Sequence, residues 1–169
     1  MESFDTPRLR LRLLQPVDEA LYCALYTDPG VMEHVGSPLS ADAARRGFSD
    51  ARRRNAAADG TQRRWAVLDR GSGEALGLLA LLRDPLDPDD AELGVMLLPA
   101  AHGRGFAREI SGAVVAHAFG PGGWGLRRLW ARHAPGHAAA AGVLQASGFQ
   151  PAAPRDGQVI VARSRGDRP

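Results

Sequence analysis

Between residues 97 and 119 the chain reads LLPAAHGRGFAREISGAVVAHAF. An apolar, strand-like end meets Pro99, glycines follow at 103 and 105, and the remainder has the pattern of a helix. Strand, glycine turn and helix in this order constrain the chain strongly. The unpaired N–H groups of the helix start, worth about half a positive charge, face whatever sits at the mouth of the turn. Gly103 and Gly105 remove the side chains that would keep an anion's oxygens off the backbone, and Arg104 can add a charge-assisted contact. The same two glycines also suit a plain tight turn with no ligand, so the rest of the chain has to decide between the two.

Several phosphate-binding classes are excluded at once. All 21 basic residues are arginine, so a Walker A lysine, a Schiff-base lysine and a Ser–Lys dyad are absent. The dinucleotide fingerprint fails too: counted from Gly103, its third glycine position holds Arg108. Net charge is only +2, and the arginines are spread along the chain without interleaved aromatics, which argues against a nucleic-acid surface. What remains is His102-x-x-Gly105-x-Ala107, directly after a strand that carries Gly94.

The flanking patterns predict a mixed α/β chain. RLRLRLL (8–14) alternates as a strand with Leu9, Leu11 and Leu13 on one face. QPVDEALYCALYTDP carries Val17, Leu21 and Leu25 at helical spacing and stops at Pro29, and VMEHVGSPLS connects. Ser40 is placed to cap a second helix that ends near Asp59-Gly60. Residues 63–69 and 74–82 read as a hairpin, and 84–90 as an acidic, proline-broken loop. AELGVMLLP is a fourth strand interrupted by Gly94, and the helix from about Gly105 runs to about Phe119. LRRLWARH is a fifth strand, GHAAAAGVLQASGF a helix ending at Gly148, QPAAPRDG a connection and GQVIVAR a last strand. With 169 residues, 44% of them apolar and 24% charged, and no linker or repeat, residues 1–169 are expected to form one domain. No run reaches the roughly 20 apolar residues of a membrane span and MESFDTPRLR lacks a signal core, so a cytoplasmic location is expected. The single Cys23 excludes an internal disulfide.

TPRLRLR, WAVLDRGSGEALGLLALL, AELGVMLLPAAHGRGFAREISGAVVAHAF and VLQASGF together resemble, in order, the GNAT N-acetyltransferase superfamily in its RimJ/RimL-like branch, from Thr6 to about Phe149. The resemblance implies a GNAT fold: a central, mostly antiparallel sheet splayed between the fourth and fifth strands, with about four flanking helices. It implies acetyl-CoA as co-substrate, its pyrophosphate cradled by His102, Gly103, Arg104, Gly105, Phe106 and Ala107. Met96, Leu97 and Leu98 would pair with the pantetheine arm, and Gly94 marks the expected bulge. His137 stands where this branch commonly has the Asn that grips pantetheine, Ala140 where Ser is common, and His102 where Gln or Arg is usual. Glu109 matches the branch, although a carboxylate in a first helical turn is favourable in any case.

Acetyl transfer needs a neutral amine, an oxyanion contact and a leaving thiol. Glu92, on the fourth strand, is the expected base; the alternative is a strand carboxylate held by an arginine. Backbone N–H groups near Val95–Leu97 are the expected oxyanion contact. No tyrosine follows the last helix as a general acid, which leaves His133 and His137 as weaker acid–base candidates, and a thiol of pKa about 8.5 can depart unassisted. His133 and His137 lack a third ligand, so no metal is expected. The expected partners are acetyl-CoA and an amine, with no nucleic acid and no membrane. The short QPAAPRDG predicts an acceptor site that is open or completed by a second subunit of a homodimer. The rival reading is a non-catalytic acyl-CoA-binding module.

Overall fold

The computed structural model describes residues 3–57, 59–155 and 157–167. One eight-stranded sheet runs β1 (Phe4–Asp5), β2 (Leu9–Leu13), β3 (Gln62–Asp69), β4 (Ala75–Arg83), β5 (Asp90–Leu97), β6 (Arg128–His133), β8 (Gln158–Ser164) and β7 (Gln150–Arg155) in spatial order. Every neighbouring pair is antiparallel except β5 and β6. The helices are α1 (Glu19–Thr27), α2 (Pro29–Met32), α3 (Ala41–Ala56), α4 (Phe106–Phe119) and α5 (Ala138–Ala146).

Two apolar cores sandwich the sheet. On one face Leu9, Leu11, Trp65, Val67, Leu79, Leu81 and Leu93 pack with Phe106, Ile110 and Val114 of α4, and this core extends to Leu129, Leu144 and Phe149. On the other face Ala66 and Leu78 meet Leu21, Tyr22 and Leu25 of α1 and Phe48 and Ala51 of α3. Burial on both sides explains why Trp65, Ala66 and Val67 are buried in succession, whereas β2 alternates. The Ser40 hydroxyl caps α3 by accepting from Ala43 N–H, as its sequence position indicates.

Several local readings require correction. Val17 is 75% exposed, because residues 16–18 form a 3-10 turn and the α-helix starts only at Glu19. That turn is organised instead by the buried Asp18, which accepts from Arg12 at 2.8 and 2.9 Å and from Gln15 N–H at 2.7 Å. The first helix does stop before Pro29, at Thr27, but the segment read as a connection starts with a short helix: Pro29 opens α2, where its missing N–H is harmless and the Asp28 carboxylate accepts from Val31 N–H. The α3 helix closes at Ala56, where Asn55 exchanges hydrogen bonds of 2.7 and 2.8 Å with the main chain of Arg64. Among the described residues five helices flank the sheet, one of them the single-turn α2, in keeping with the expected number of about four. The stretch read as a connection, QPAAPR, is the edge strand β7, and only an edge accommodates Pro151 and Pro154.

Gly94 carries no bulge. The β4–β5 register runs unbroken from Arg83–Ala91 to Gly77–Leu97, with Gly94 facing Ala80. The glycine that matters for this pair lies on β4: a Cβ at Gly77 would overlap the Met96 carbonyl oxygen and crowd Leu97. Gly77→Ala is expected to destabilise the fold by about 1–3 kcal/mol through overpacking, read as a lowered midpoint in urea.

Candidate active site

β5 and β6 pair for three residues only, Asp90–Arg128, Ala91–Leu129 and Glu92–Trp130. Beyond Glu92 they part, and the sheet is open between them. This is the expected splay, achieved without a bulge in β5. The phase of the β4–β5 ladder decides which backbone groups line the opening. Leu98 N–H donates to the Leu76 carbonyl at 2.8 Å, and alternate residues of an antiparallel pair exchange such bonds. Gly94, Met96 and Leu98 therefore spend their main-chain groups on β4, while Val95 and Leu97 turn theirs to the gap. Of the three residues expected to offer backbone there, Leu97 turns its N–H to the gap, its carbonyl being taken by His102, and Met96 and Leu98 face β4 instead; Val95 also faces the gap.

The rail leads directly to the glycine turn. After a 3-10 turn at Pro99–Ala101 the chain passes His102, Gly103 (φ 71°) and Arg104 to Gly105 (φ 78°), the N-cap of α4. Both glycines are left-handed, a conformation that a residue with a Cβ adopts only with strain. Gly105 has no side chain to cap with, so the first-turn N–H groups of α4 face outward. The His102 Nε2–H donates to the Leu97 carbonyl at 2.9 Å, tying the turn to the end of the rail. Phe106 is buried beneath the turn, and the Arg104 guanidinium lies over its ring at 4.6 Å and near Asp69 at 3.9 Å.

A brace holds this turn from the far end of the sequence. The Glu109 carboxylate accepts from Thr6 Oγ1 at 2.6 Å, Arg8 N–H at 2.9 Å and Arg8 Nε at 2.6 Å. Arg8 also donates to the Arg104 carbonyl at 2.9 Å and lies over the Phe106 ring at 4.7 Å. Burial raises the Glu109 pKa, but the bonds from Thr6 and Arg8 outweigh it and leave the group below its ordinary value. Arg8 and Thr6 were not singled out as site residues; TPR shows nothing at sequence level that would link it to a helix about a hundred residues away. An open groove of about 720 Å³ runs along α4 past Thr6, Arg8, Gly105, Glu109, Gly112 and His117, and it lies outside the β5–β6 gap.

At the closed end of the gap Glu92 is 15% exposed, and Arg132 Nε lies 2.8 Å from its carboxylate. Burial raises the Glu92 pKa, opposed by Arg132. Strand alternation puts Glu92, Trp130 and Arg132 on one sheet face and His133 on the other, so the two candidate acid–base residues are not brought together. His133 is buried beside the α4–α5 layer and its Nδ1–H donates to the Ala134 carbonyl at 3.0 Å. His137 starts α5 and its ring stacks on His34, with centroids 4.0 Å apart and planes 25° apart. Burial lowers its pKa, with further lowering by His34 and His133. His34, just beyond α2, was missed because only the tertiary fold brings it to α5. Tyr22 and Tyr26 stack at 4.4 Å in α1, and burial raises the Tyr22 pKa strongly, so Tyr22 is not a ready proton donor. Among the described residues no group of three or more His, Cys, Asp and Glu is placed to hold a metal ion.

The brace has a pH signature. A carboxylate whose folded pKa is depressed stabilises the fold above its unfolded pKa, near 4.3, and loses that contribution as pH falls through the lower folded value. Glu109→Gln is therefore expected to cost about 1–3 kcal/mol near pH 7, with the difference from wild type shrinking below about pH 4 in parallel urea titrations.

The comparisons with known proteins agree with this geometry. The family model described as "Acetyltransferase (GNAT) domain" matches residues 8–150. No curated protein sequence gives a significant match to the chain. Among solved structures, an acetyltransferase from Agrobacterium tumefaciens superposes with a TM-score of 0.82 at 23% identity, covering 98% of this chain and 95% of that one. RimL, a ribosomal-protein alpha-N-acetyltransferase in complex with coenzyme A, gives 0.80 at 17%, covering 99% and 100%. Spermidine N-acetyltransferase from Vibrio cholerae, in complex with CoA and spermine, gives 0.78 at 19%, covering 95% and 97%. These identities speak for the fold. The splayed sheet, the glycine turn and the match over 8–150 lead to one assignment: the chain belongs to the GNAT acetyltransferase domain family.

Proposed function

We propose that the protein is an acetyl-CoA-dependent N-acetyltransferase that passes an acetyl group to a primary amine by direct attack on the thioester. One observation carries the reading. The backbone of Val95 and the N–H of Leu97, turned to the gap, run straight into an uncapped helix start framed by two left-handed glycines, with the Leu97 carbonyl held by His102. An extended amide-bearing arm fits the rail as an added strand, and a pyrophosphate fits the turn formed by residues 102–107. The coenzyme-bound relatives RimL and spermidine N-acetyltransferase support the choice of CoA. In this reading the Val95 N–H turned to the gap is placed to receive the developing oxyanion.

The acceptor approaches on the Glu92 side, where the carboxylate draws the ammonium in and Arg132 limits the net charge. The nearby acidic loop is neutralised in part: Asp87 and Asp90 pair with Arg127, and Asp90 also with Arg128. This balance supports a monoamine, such as a protein N-terminus or a small-molecule amine, over a polycation. The mutually stacked tyrosines, Tyr22 buried and Tyr26 partly so, favour a second reading, a module that binds acyl-CoA without transfer.

Thermal-shift titration with acetyl-CoA and thiol release across a panel of amines and peptides separate the two readings. Binding with release for at least one acceptor is expected. Gly105→Val is expected to weaken coenzyme binding at least tenfold, because it adds a β-branched side chain at a left-handed position. Glu92→Gln is expected to lower kcat/KM for the amine about 10–100-fold with coenzyme affinity unchanged. Binding with no transfer would leave only the module, and absence of binding would overturn both.

A further inference from the structure

The turn between β5 and α4 contains one peptide whose direction its own residues leave open. A flip of the Arg104–Gly105 peptide turns ψ of Arg104 and φ of Gly105 together, and the Arg104 carbonyl and the Gly105 N–H exchange places. Both arrangements are sterically permitted. The ψ values of Arg104 fall in the helical and extended regions that any residue adopts, and Gly105, without a Cβ, takes either sign of φ about equally readily. In the structure the φ of Gly105 is 78°. A neighbour has to select that state.

Arg8 is the neighbour. Its Nη1 donates to the Arg104 carbonyl at 2.9 Å, while its Nε donates to the Glu109 carboxylate at 2.6 Å and its guanidinium lies over the Phe106 ring at 4.7 Å. The main chain beneath it is held by the same carboxylate, which accepts from Arg8 N–H at 2.9 Å and from Thr6 Oγ1 at 2.6 Å. A planar fork fixed along one edge and across one face has little freedom to follow the carbonyl, so the carbonyl comes to it.

The direction of that bond decides where the amide points. No peptide bond is cis among the described residues, and in a trans peptide the C=O and N–H point opposite ways. Arg8 stands just before β2, which lies three places from β5 in the sheet, on the side away from the gap. A carbonyl drawn towards Arg8 therefore sends the Gly105 N–H to the gap side. That N–H has no hydrogen-bond partner among the described residues. The flipped peptide would present a carbonyl oxygen there instead, and a partial negative charge repels an anion.

Resting on the coenzyme-binding part of the proposed function, we propose that Arg8 is a positioning residue for the coenzyme, acting through the Arg104 carbonyl to keep the Gly105 N–H turned towards the pyrophosphate. Arg8 itself does not have to touch the coenzyme. Its effect falls on the phosphate end, because the arm is received by Val95 and Leu97 on β5, which Arg8 does not contact. The chemical step takes place along β5 as well, so Arg8 governs how tightly the coenzyme is held rather than how fast the acetyl group is passed on.

The test compares acetyl-CoA with S-acetyl-pantetheine, which has the same thioester and arm without the phosphates, using the full chain and one amine acceptor. Arg8→Met keeps an unbranched side chain over Phe106 but removes every donor. It is expected to raise KM for acetyl-CoA about tenfold with kcat changed less than about threefold, and to lower the preference for acetyl-CoA over S-acetyl-pantetheine by about the same tenfold. A merely structural role would weaken both substrates alike. Arg8→Lys keeps the charge without the planar fork and should behave like Arg8→Met. A further readout needs no variant: in proton–nitrogen correlation spectra of the wild type, the Gly105 amide proton should move downfield with CoA and stay in place with pantetheine. An unchanged preference in Arg8→Met, recovery of the preference by Arg8→Lys, or a Gly105 amide that ignores bound CoA or responds equally to pantetheine overturns this proposal and leaves the transferase reading intact. A wild type that does not bind acetyl-CoA overturns both.

Discussion

Three residue pairs hold β5 to β6, and the structure is arranged around what happens after the third. Parallel strands that part leave N–H and C=O groups facing a void, and such groups cost free energy unless something pairs with them. Here those groups are the main chain of Val95 and the N–H of Leu97, the Leu97 carbonyl being taken by His102, while the alternate residues are locked to β4. The opening persists because each bank is fixed independently. β4 holds β5 in unbroken register with Gly77 at the point of closest approach. β8 holds β6 along its whole length, from Arg128–Ser164 to His133–Val159. The helices of the two faces then border a slot that neither face fills.

The turn at the end of the slot is held by residues distant in sequence. Glu109 gathers Thr6 and Arg8, and Arg8 in turn holds the Arg104 carbonyl and covers Phe106. A backbone that presents outward N–H groups has few internal bonds of its own, so its shape has to be set by neighbours. Arginine suits this work, because one planar fork can meet a carboxylate, a carbonyl and an aromatic face together. The same habit recurs elsewhere: Arg12 on Asp18, Arg127 and Arg128 on Asp90, and Arg132 on Glu92. A chain whose strongly basic side chains are all arginine uses many of them to fasten carboxylates.

Much of the fold was legible because it rests on local rules. The alternation of Leu9 and Leu11, the hairpin at 70–73, the Ser40 cap and the αL glycines each follow from a neighbour within a few residues. Errors arose where a distant partner overrode local preference. Val17 lost its helical phase to a turn organised by the Arg12–Asp18 pair. QPAAPR became a strand because β8 offered it a free edge. Gly94 looked like a bulge, but strands β5 and β6 part without one because they simply run out of register partners after Glu92.

For the site, the order of residue types along 94–109 was enough to announce a strand, an anion-binding turn and a helix, since helix starts and left-handed glycines are properties of short segments. Which amides face the gap was not contained there: it depends on the phase of the β4 ladder, which makes Val95 and Leu97 available and Met96 and Leu98 unavailable. Nor could spacing show that Glu92 meets Arg132, that Glu109 meets Thr6 and Arg8, or that His34 stacks on His137. Those pairs join elements 40 to about 100 residues apart, and only the packing of two helical layers on a parted sheet brings them within bonding distance.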